Sequence, residues 1–142
     1  TRRREMAGKI LLEVVTPEKL LLSQEVDEVI APGSEGEFGV LPRHCHFLTT
    51  LRIGELHYRV GDQTNHMAVL WGYAEVTPTK VTILAEIAEK AEDIDVDRAQ
   101  ANVEKAEQRL KAGGLPSELK EAEISLEKAR LRKKIAERAR KI

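Results

Sequence analysis

At Asp95 the sequence changes its pattern, and this handover limits the available folds more than any other feature. Before it, short β-branched runs are interrupted by Gly and Pro. After it comes an Ala-, Glu- and Lys-rich stretch with apolar residues at helical spacing. The pattern predicts an α+β chain, with a β-sandwich over residues 6–90 and an antiparallel α-helical hairpin over residues 91–142. A sheet-rich front is suited to docking and a charged helical tail to movement, so the joint is also the expected hinge.

The front carries its strands in short pieces. Residues 9–16 (KILLEVVT) form a β-branched run that stops at Pro17, and Val26, Val29 and Ile30 anchor a second run closed by Pro32-Gly33. Residues 47–51 resume extended structure until Gly54. Residues 55–60 and 64–70 flank Gly61-Asp62-Gln63, a hairpin signal, and 73–76 and 80–84 flank Thr77-Pro78-Thr79 in the same way. Strands at this spacing argue for a sandwich or flattened barrel.

Gly33, Gly36 and Gly39 are three apart between strands, not the Gly-x-Gly-x-x-Gly that opens a dinucleotide-binding helix. No Gly-Lys-Ser/Thr occurs, which excludes a P-loop. These glycines are expected to serve backbone conformation. In extended His44-Cys45-His46 the two imidazoles share a face and the thiol points away, so the three do not suit one ion. His57 and His66 approach across the hairpin, but no acid adjoins them in sequence. No spacing matches a common zinc pattern, so no metal site is expected, and no nucleophile, base and orienting group converge.

Composition narrows the function classes further. Charged residues are 33% and hydrophobic residues 42%, as in folded globular proteins, and 142 residues fit one domain or a small domain with an appendage. No apolar run approaches the roughly 20 residues needed to cross a bilayer. Thr1-Arg2-Arg3-Arg4-Glu5-Met6 lacks the apolar core of a secretory signal, and reads as residues added in cloning or an upstream start ahead of Met6. The single Cys45 allows no internal disulfide. Aromatics at 4% leave little for stacking bases, which argues against nucleic-acid binding.

In the tail, Asp95 or Asp97 is placed to cap a helix whose stripe is Ala99, Val103, Ala106 and Leu110. Gly113-Gly114-Leu115-Pro116 ends it, and Ser117 is placed to cap a second helix with the stripe Leu119, Ala122, Leu126 and Ala129. Beyond Ala129 the pattern shifts to Leu131, Ile135, Ala139 and Ile142 among Lys and Arg. That end suits either a solvated, fraying helix or one that lies along an acidic partner.

Three separated segments resemble one family. Pro32-Gly33-Ser34-Glu35-Gly36-Glu37-Phe38-Gly39-Val40-Leu41-Pro42 followed by His44 is similar to the hallmark segment of epsilon subunits of F-type ATP synthases. Gly72-Tyr73-Ala74-Glu75-Val76 with Val81-Thr82-Ile83-Leu84-Ala85 is similar to that family's second signature. Ile94-Asp95-Val96-Asp97-Arg98-Ala99 fits its nucleotide pattern, Ile/Leu-Asp-x-x-Arg-Ala. The resemblance runs in order from about Met6 to the C-terminus.

The resemblance implies a ten-stranded β-sandwich and a helical hairpin, in a non-catalytic subunit of the central stalk. It implies binding to the gamma subunit and the c-ring, and a peripheral place on the cytoplasmic face of the bacterial membrane through the complex alone. It further implies that the hairpin can extend into the catalytic alpha/beta head to block ATP hydrolysis. It implies no required cofactor, and it allows ATP bound to the folded hairpin to oppose that extension as a regulator. Glu37, Phe38, Arg43 and His44 would face the c-ring and gamma.

For the nucleotide the resemblance implies Ile94, Asp95, Arg98 and Ala99, with Arg132 at a phosphate-binding position. Lys105 and Lys128 stand where ATP-binding relatives carry Arg, which keeps charge but loses the bidentate fork. Arg130, Arg132, Lys133, Lys134 and Arg138 would contact the head. Arg43 and Trp71 replace family glycines, and His46 replaces a common Pro. The residues alone also allow a free-standing β-sandwich ligand-binding module with a coiled-coil dimerisation tail.

Overall fold

The computed structural model describes residues 8–140, so the segment around Met6 and the tail positions Lys141 and Ile142 lie outside the described residues. The chain divides between Glu89 and Lys90 into two compact units. The first is a β-sandwich of eight strands: β1 (Ile10–Val15), β2 (Leu20–Val26), β3 (Glu28–Gly33), β4 (Gly36–Val40), β5 (Phe47–Leu51), β6 (Gly54–Val60), β7 (Gln63–Val76) and β8 (Lys80–Lys90). They hydrogen-bond in the order β2-β1-β8-β7-β5-β3-β4, with β6 joining β3 to β7.

The layers are filled by alternation. Ile10, Leu12 and Val14 of β1 point inward and meet Val29, Leu56, Met67, Val81 and Ile83, all within 1% of full burial. β1 lies parallel to β8, with Leu11 opposite Lys80 and Val15 opposite Leu84, and a Lys80–Glu13 ion pair ties the two strands.

The sandwich has eight strands where the resemblance implied ten, and β7, which does the work of two, accounts for one of the difference. Its first half pairs with β6, Gly54 opposite Val69, and its second half pairs with β5, Leu51 opposite Gly72. The sequence suggests a break between residues 70 and 73; the chain bends there instead. Trp71 sits at φ 52° and Gly72 at φ 140°. A Cβ on Gly72 would lie 1.8 Å from the Leu84 carbonyl oxygen, so only glycine allows β7 to pass that backbone.

Two further strands were hidden in the sequence. β2 buries only Val26 and leaves Leu20 exposed, so it has no alternating signature and is held by its pairing to β1. The glycine series contains the β3–β4 hairpin, in which Gly33 faces Gly36 and Gly36 takes φ 133° at the turn.

The second unit begins with a 3-10 turn (Ala91–Asp93), followed by α1 (Val96–Ala112) and α2 (Pro116–Arg140). Asp95 is the N-cap of α1: its Oδ1 accepts the Arg98 backbone N–H at 3.1 Å. Gly113 closes α1, donating its N–H to Leu110 O. Ser117 does not cap α2. The helix starts at Pro116, whose fixed φ suits a first helical position and whose missing N–H leaves no donor to satisfy. Leu119 already donates to Leu115 O at 3.0 Å.

Val103 and Ala106 pack against Leu126 and Ala129, with Leu110 at the edge. Alanine on both sides lets the helix backbones approach closely. α2 continues unbroken past Ala129, with Ile135 and Ala136 fully or almost fully buried, and comes beside the 3-10 turn. It is not the solvated, fraying end that charge alone allowed.

Candidate functional site

The polar faces of α1 and α2 meet along a groove. On α1, Arg98, Asn102, Lys105 and Arg109 follow one another at spacings of four, three and four, so they stand in a row beside the apolar stripe. On α2, Ser125, Lys128 and Arg132 do the same at three and four. Lys105, Arg109, Lys128 and Arg132 line one cavity of about 240 Å³ with Asn102 and Ser125. Buried Ala106 and Ala129 bring the rows together.

Three of the residues singled out in sequence, Lys105, Lys128 and Arg132, therefore come from both helices into one place. Asn102 and Arg109 were missed, although their place in the four-three-four row was readable. Four cationic side chains line the groove, Arg109 paired with Glu121 and Lys128 and Arg132 engaged within the fold, and a polyanion between them would gain charge-assisted hydrogen bonds from both helices. The groove is smaller than the roughly 300–1,000 Å³ of pockets that enclose a drug-sized ligand. It suits a phosphate chain rather than a whole nucleotide.

Ile94, Asp95, Arg98 and Ala99 lie at the start of α1, outside that cavity lining. Ile94 and Ala99 are buried, and Asp95 and Arg98 are exposed. The Asp95 carboxylate is engaged by the backbone of Arg98, which fixes the first turn and the direction in which the Arg98 side chain leaves it.

The basic residues of α2 do not share a face. Arg132 turns to the groove, whereas Arg130 and Lys134 are exposed on a face with Glu127 and Glu137. Arg130 also reaches Glu107 on α1 at 3.9 Å, and Arg109 reaches Glu121 at 3.9 Å. Such exposed pairs contribute little stability. Lys133 and Arg138 are half-buried.

On the sandwich, Glu37 is exposed on β4, and the Phe38 ring packs edge-on against Phe47 at 5.2 Å. Arg43 and His44 belong to the loop between β4 and β5. Arg43 adopts φ 70° and donates its N–H to Pro78 O at 2.8 Å, which fastens this loop to the β7–β8 turn. His44 Nδ1 lies 3.0 Å from Cys45 O. Leu41, Leu48, Tyr73 and Leu84 are large exposed apolar side chains on this unit. Tyr73 and Leu84 border an open groove of about 670 Å³.

One sequence expectation is corrected in the β6–β7 hairpin. His57 and His66 are cross-strand partners, and an acid does stand beside them. Glu55, two residues before His57 and so on the same face, places Oε1 3.5 Å from His66 Nδ1. The acid is near only because the strand register brings it there.

Comparison with known proteins follows the same division. Residues 9–91 match the family described as ATP synthase, Delta/Epsilon chain, beta-sandwich domain, and residues 92–137 match ATP synthase, Delta/Epsilon chain, long alpha-helix domain. The chain is 53% identical over 133 residues to an ATP synthase epsilon chain of Syntrophobacter fumaroxidans, covering 94% of this chain and 99% of the relative. It is 51% identical over 134 residues to that of Geobacter metallireducens, covering 92% and 96%. In fold it is similar to a chain of the Euglena gracilis mitochondrial ATP synthase, at a TM-score of 0.77 and 24% identity over 87% of this chain and 78% of that one.

Proposed function

This chain belongs to the ATP synthase delta/epsilon chain family, and from that premise we propose a stalk subunit whose helical pair is a nucleotide-responsive brake. The sandwich docks on the gamma subunit and the c-ring, with Glu37, Phe38, Arg43 and His44 at the contact. The exposed apolar residues Leu48 and Tyr73 suit such a docking face. The chain carries out no catalysis itself; that belongs to the alpha/beta head. No helix among the described residues is long and apolar enough to cross a membrane, which accords with a peripheral place at the cytoplasmic face held through the complex.

The observation that carries the brake is the cationic groove. Its charges come from both helices, so a bound phosphate chain would hold α1 to α2, adding to the thin apolar seam and to the Arg109–Glu121 and Arg130–Glu107 pairs that span them. ATP is then the regulatory ligand, with phosphates on Lys105, Lys128 and Arg132 and the Arg98 side chain about two turns before Lys105 on α1. A ligand that binds only the closed pair shifts the equilibrium by its own binding free energy. In the open state, Arg130, Arg132, Lys133, Lys134 and Arg138 become available to the catalytic head. A coiled-coil dimerisation tail fits less well, because the apolar stripes of α1 and α2 are spent on each other.

The test is ATP hydrolysis by the catalytic head assembled with gamma and this chain. Truncation after Ala91 is expected to raise hydrolysis severalfold with gamma still bound. Lys105→Ala is expected to keep the head inhibited at millimolar ATP, where the unaltered chain releases it. Unchanged hydrolysis on truncation removes the brake, and failure of the full chain to co-purify with gamma removes the stalk assignment.

A further inference from the structure

We infer that Glu55, His57 and His66 form a binding site for one divalent transition-metal ion of the zinc class, on the sandwich and independent of the nucleotide groove. β6 and β7 pair in register through His57 and His66, so both imidazoles rise from directly opposite backbone positions on one face. Their rings are 5.7 Å apart and tilted by 35°. Glu55 adds a carboxylate to the same face, and one ligand atom from each residue lies within 4.8 Å of the others. Two imidazoles and a carboxylate are a donor set that zinc and its neighbours in the first transition row accept.

The distances suit coordination better than hydrogen bonding. The 3.5 Å between His66 Nδ1 and Glu55 Oε1 is long for a hydrogen bond. It is close to the roughly 3.3 Å that separates two ligand atoms around a tetrahedral ion with bonds near 2.0 Å. His66 Nδ1 is shielded from water and makes no hydrogen bond. The side chains of His66 and Glu55 are 17% and 13% exposed, so the donors are partly desolvated and the strands beneath them are fixed. Drawing the three ligand atoms in from within 4.8 Å to the tetrahedral separation of about 3.3 Å completes a three-ligand set, with water in the fourth position.

The neighbouring charge is disposed for it. Arg59, next outward on the same face of β6, turns to Asp27 and Glu28 and to the Gly61 carbonyl. Glu55 and His57 hold other contacts in the fold, which an entering ion must exchange, so that exchange offsets part of the binding free energy. Glu55, His57 and His66 all belong to strands of the sandwich, and none of them lines the cationic groove.

The experiment uses the full chain, free of tags and stripped of metal with a chelator, titrated with Co²⁺ and then Zn²⁺. One equivalent of Co²⁺ should give the visible absorption of a four- or five-coordinate ion, and Zn²⁺ should displace it. Imidazole nitrogen resonances of His57 and His66 should shift with Zn²⁺ while those of His44 and His46 stay in place. His66→Gln should weaken binding at least about tenfold, since even loss of an outer-shell partner costs that much. Shifts confined to His44 and His46, no saturation at one equivalent, or unchanged affinity in His66→Gln would overturn the site. If that variant does not fold, the resonance shifts of the unaltered chain decide the matter.

Discussion

The two units of this chain solve the same packing problem with very different margins. Among the described residues, the sandwich closes over a cluster of seventeen buried apolar side chains, whereas the helical pair is sealed by Val103, Ala106, Leu126 and Ala129. Hydrophobic stabilisation scales with apolar area removed from water, so the sandwich holds the larger margin and the hairpin the smaller. The hairpin adds charge to a thin seam, and the sandwich adds backbone pairing to a thick one. The brake proposed above rests on that smaller margin.

The sharpest way to break this comparison is at Gly72. Gly72→Ala should destabilise the sandwich by about 4 kcal/mol or more, because the new Cβ meets backbone that has no way to yield. Urea unfolding followed by far-ultraviolet circular dichroism measures it, and a loss below about 1 kcal/mol would show a pliable frame. Next in size is Leu126→Ala in the helical seam, expected to cost about 2 kcal/mol. Amide hydrogen exchange should then quicken across α1 and α2 while β1, β7 and β8 keep their protection; equal quickening in both units would erase the contrast. The smallest effect belongs to Asp95→Ala, about 1 kcal/mol from loss of the cap. It should appear as faster exchange of the first-turn amides of α1, and unchanged exchange there would deny Asp95 its capping role.

What was legible in the sequence was local. The cap at Asp95, the stop at Gly113 and the stripe from Ala99 to Leu110 depend on neighbours within one or two helical turns, and each was found where residue chemistry puts it. β2 was illegible because its partner β1 decides it, and its own side chains mostly face outward. β7 looked like two strands because a tryptophan and a glycine suggest a break, yet long-range pairing to β5 carries the chain through. The same limit applied to chemistry. Lys105, Lys128 and Arg132 were named one by one, but their convergence needed two helices packed in a particular register. Glu55 was overlooked because its nearness to His66 exists only across strands.

Arg43 and Trp71 link these observations. They are the non-glycine residues found at positive φ among the described residues, at the two positions where the resemblance implied glycine. The backbone has kept the shape glycine would give it, at a cost of about 1–2 kcal/mol for each side chain. Both positions lie in the sandwich unit.

The bend at Trp71 also gives the molecule an optical property. Trp71 is the chain's sole indole and stands 37% exposed, two residues from the still more exposed Tyr73. Its emission therefore reports on one patch of one unit, with no second tryptophan to blur the signal. A partner that covers this patch would expel water from around the ring and move its emission toward the blue. Assembly of the subunit can thus be watched in real time without attaching a dye.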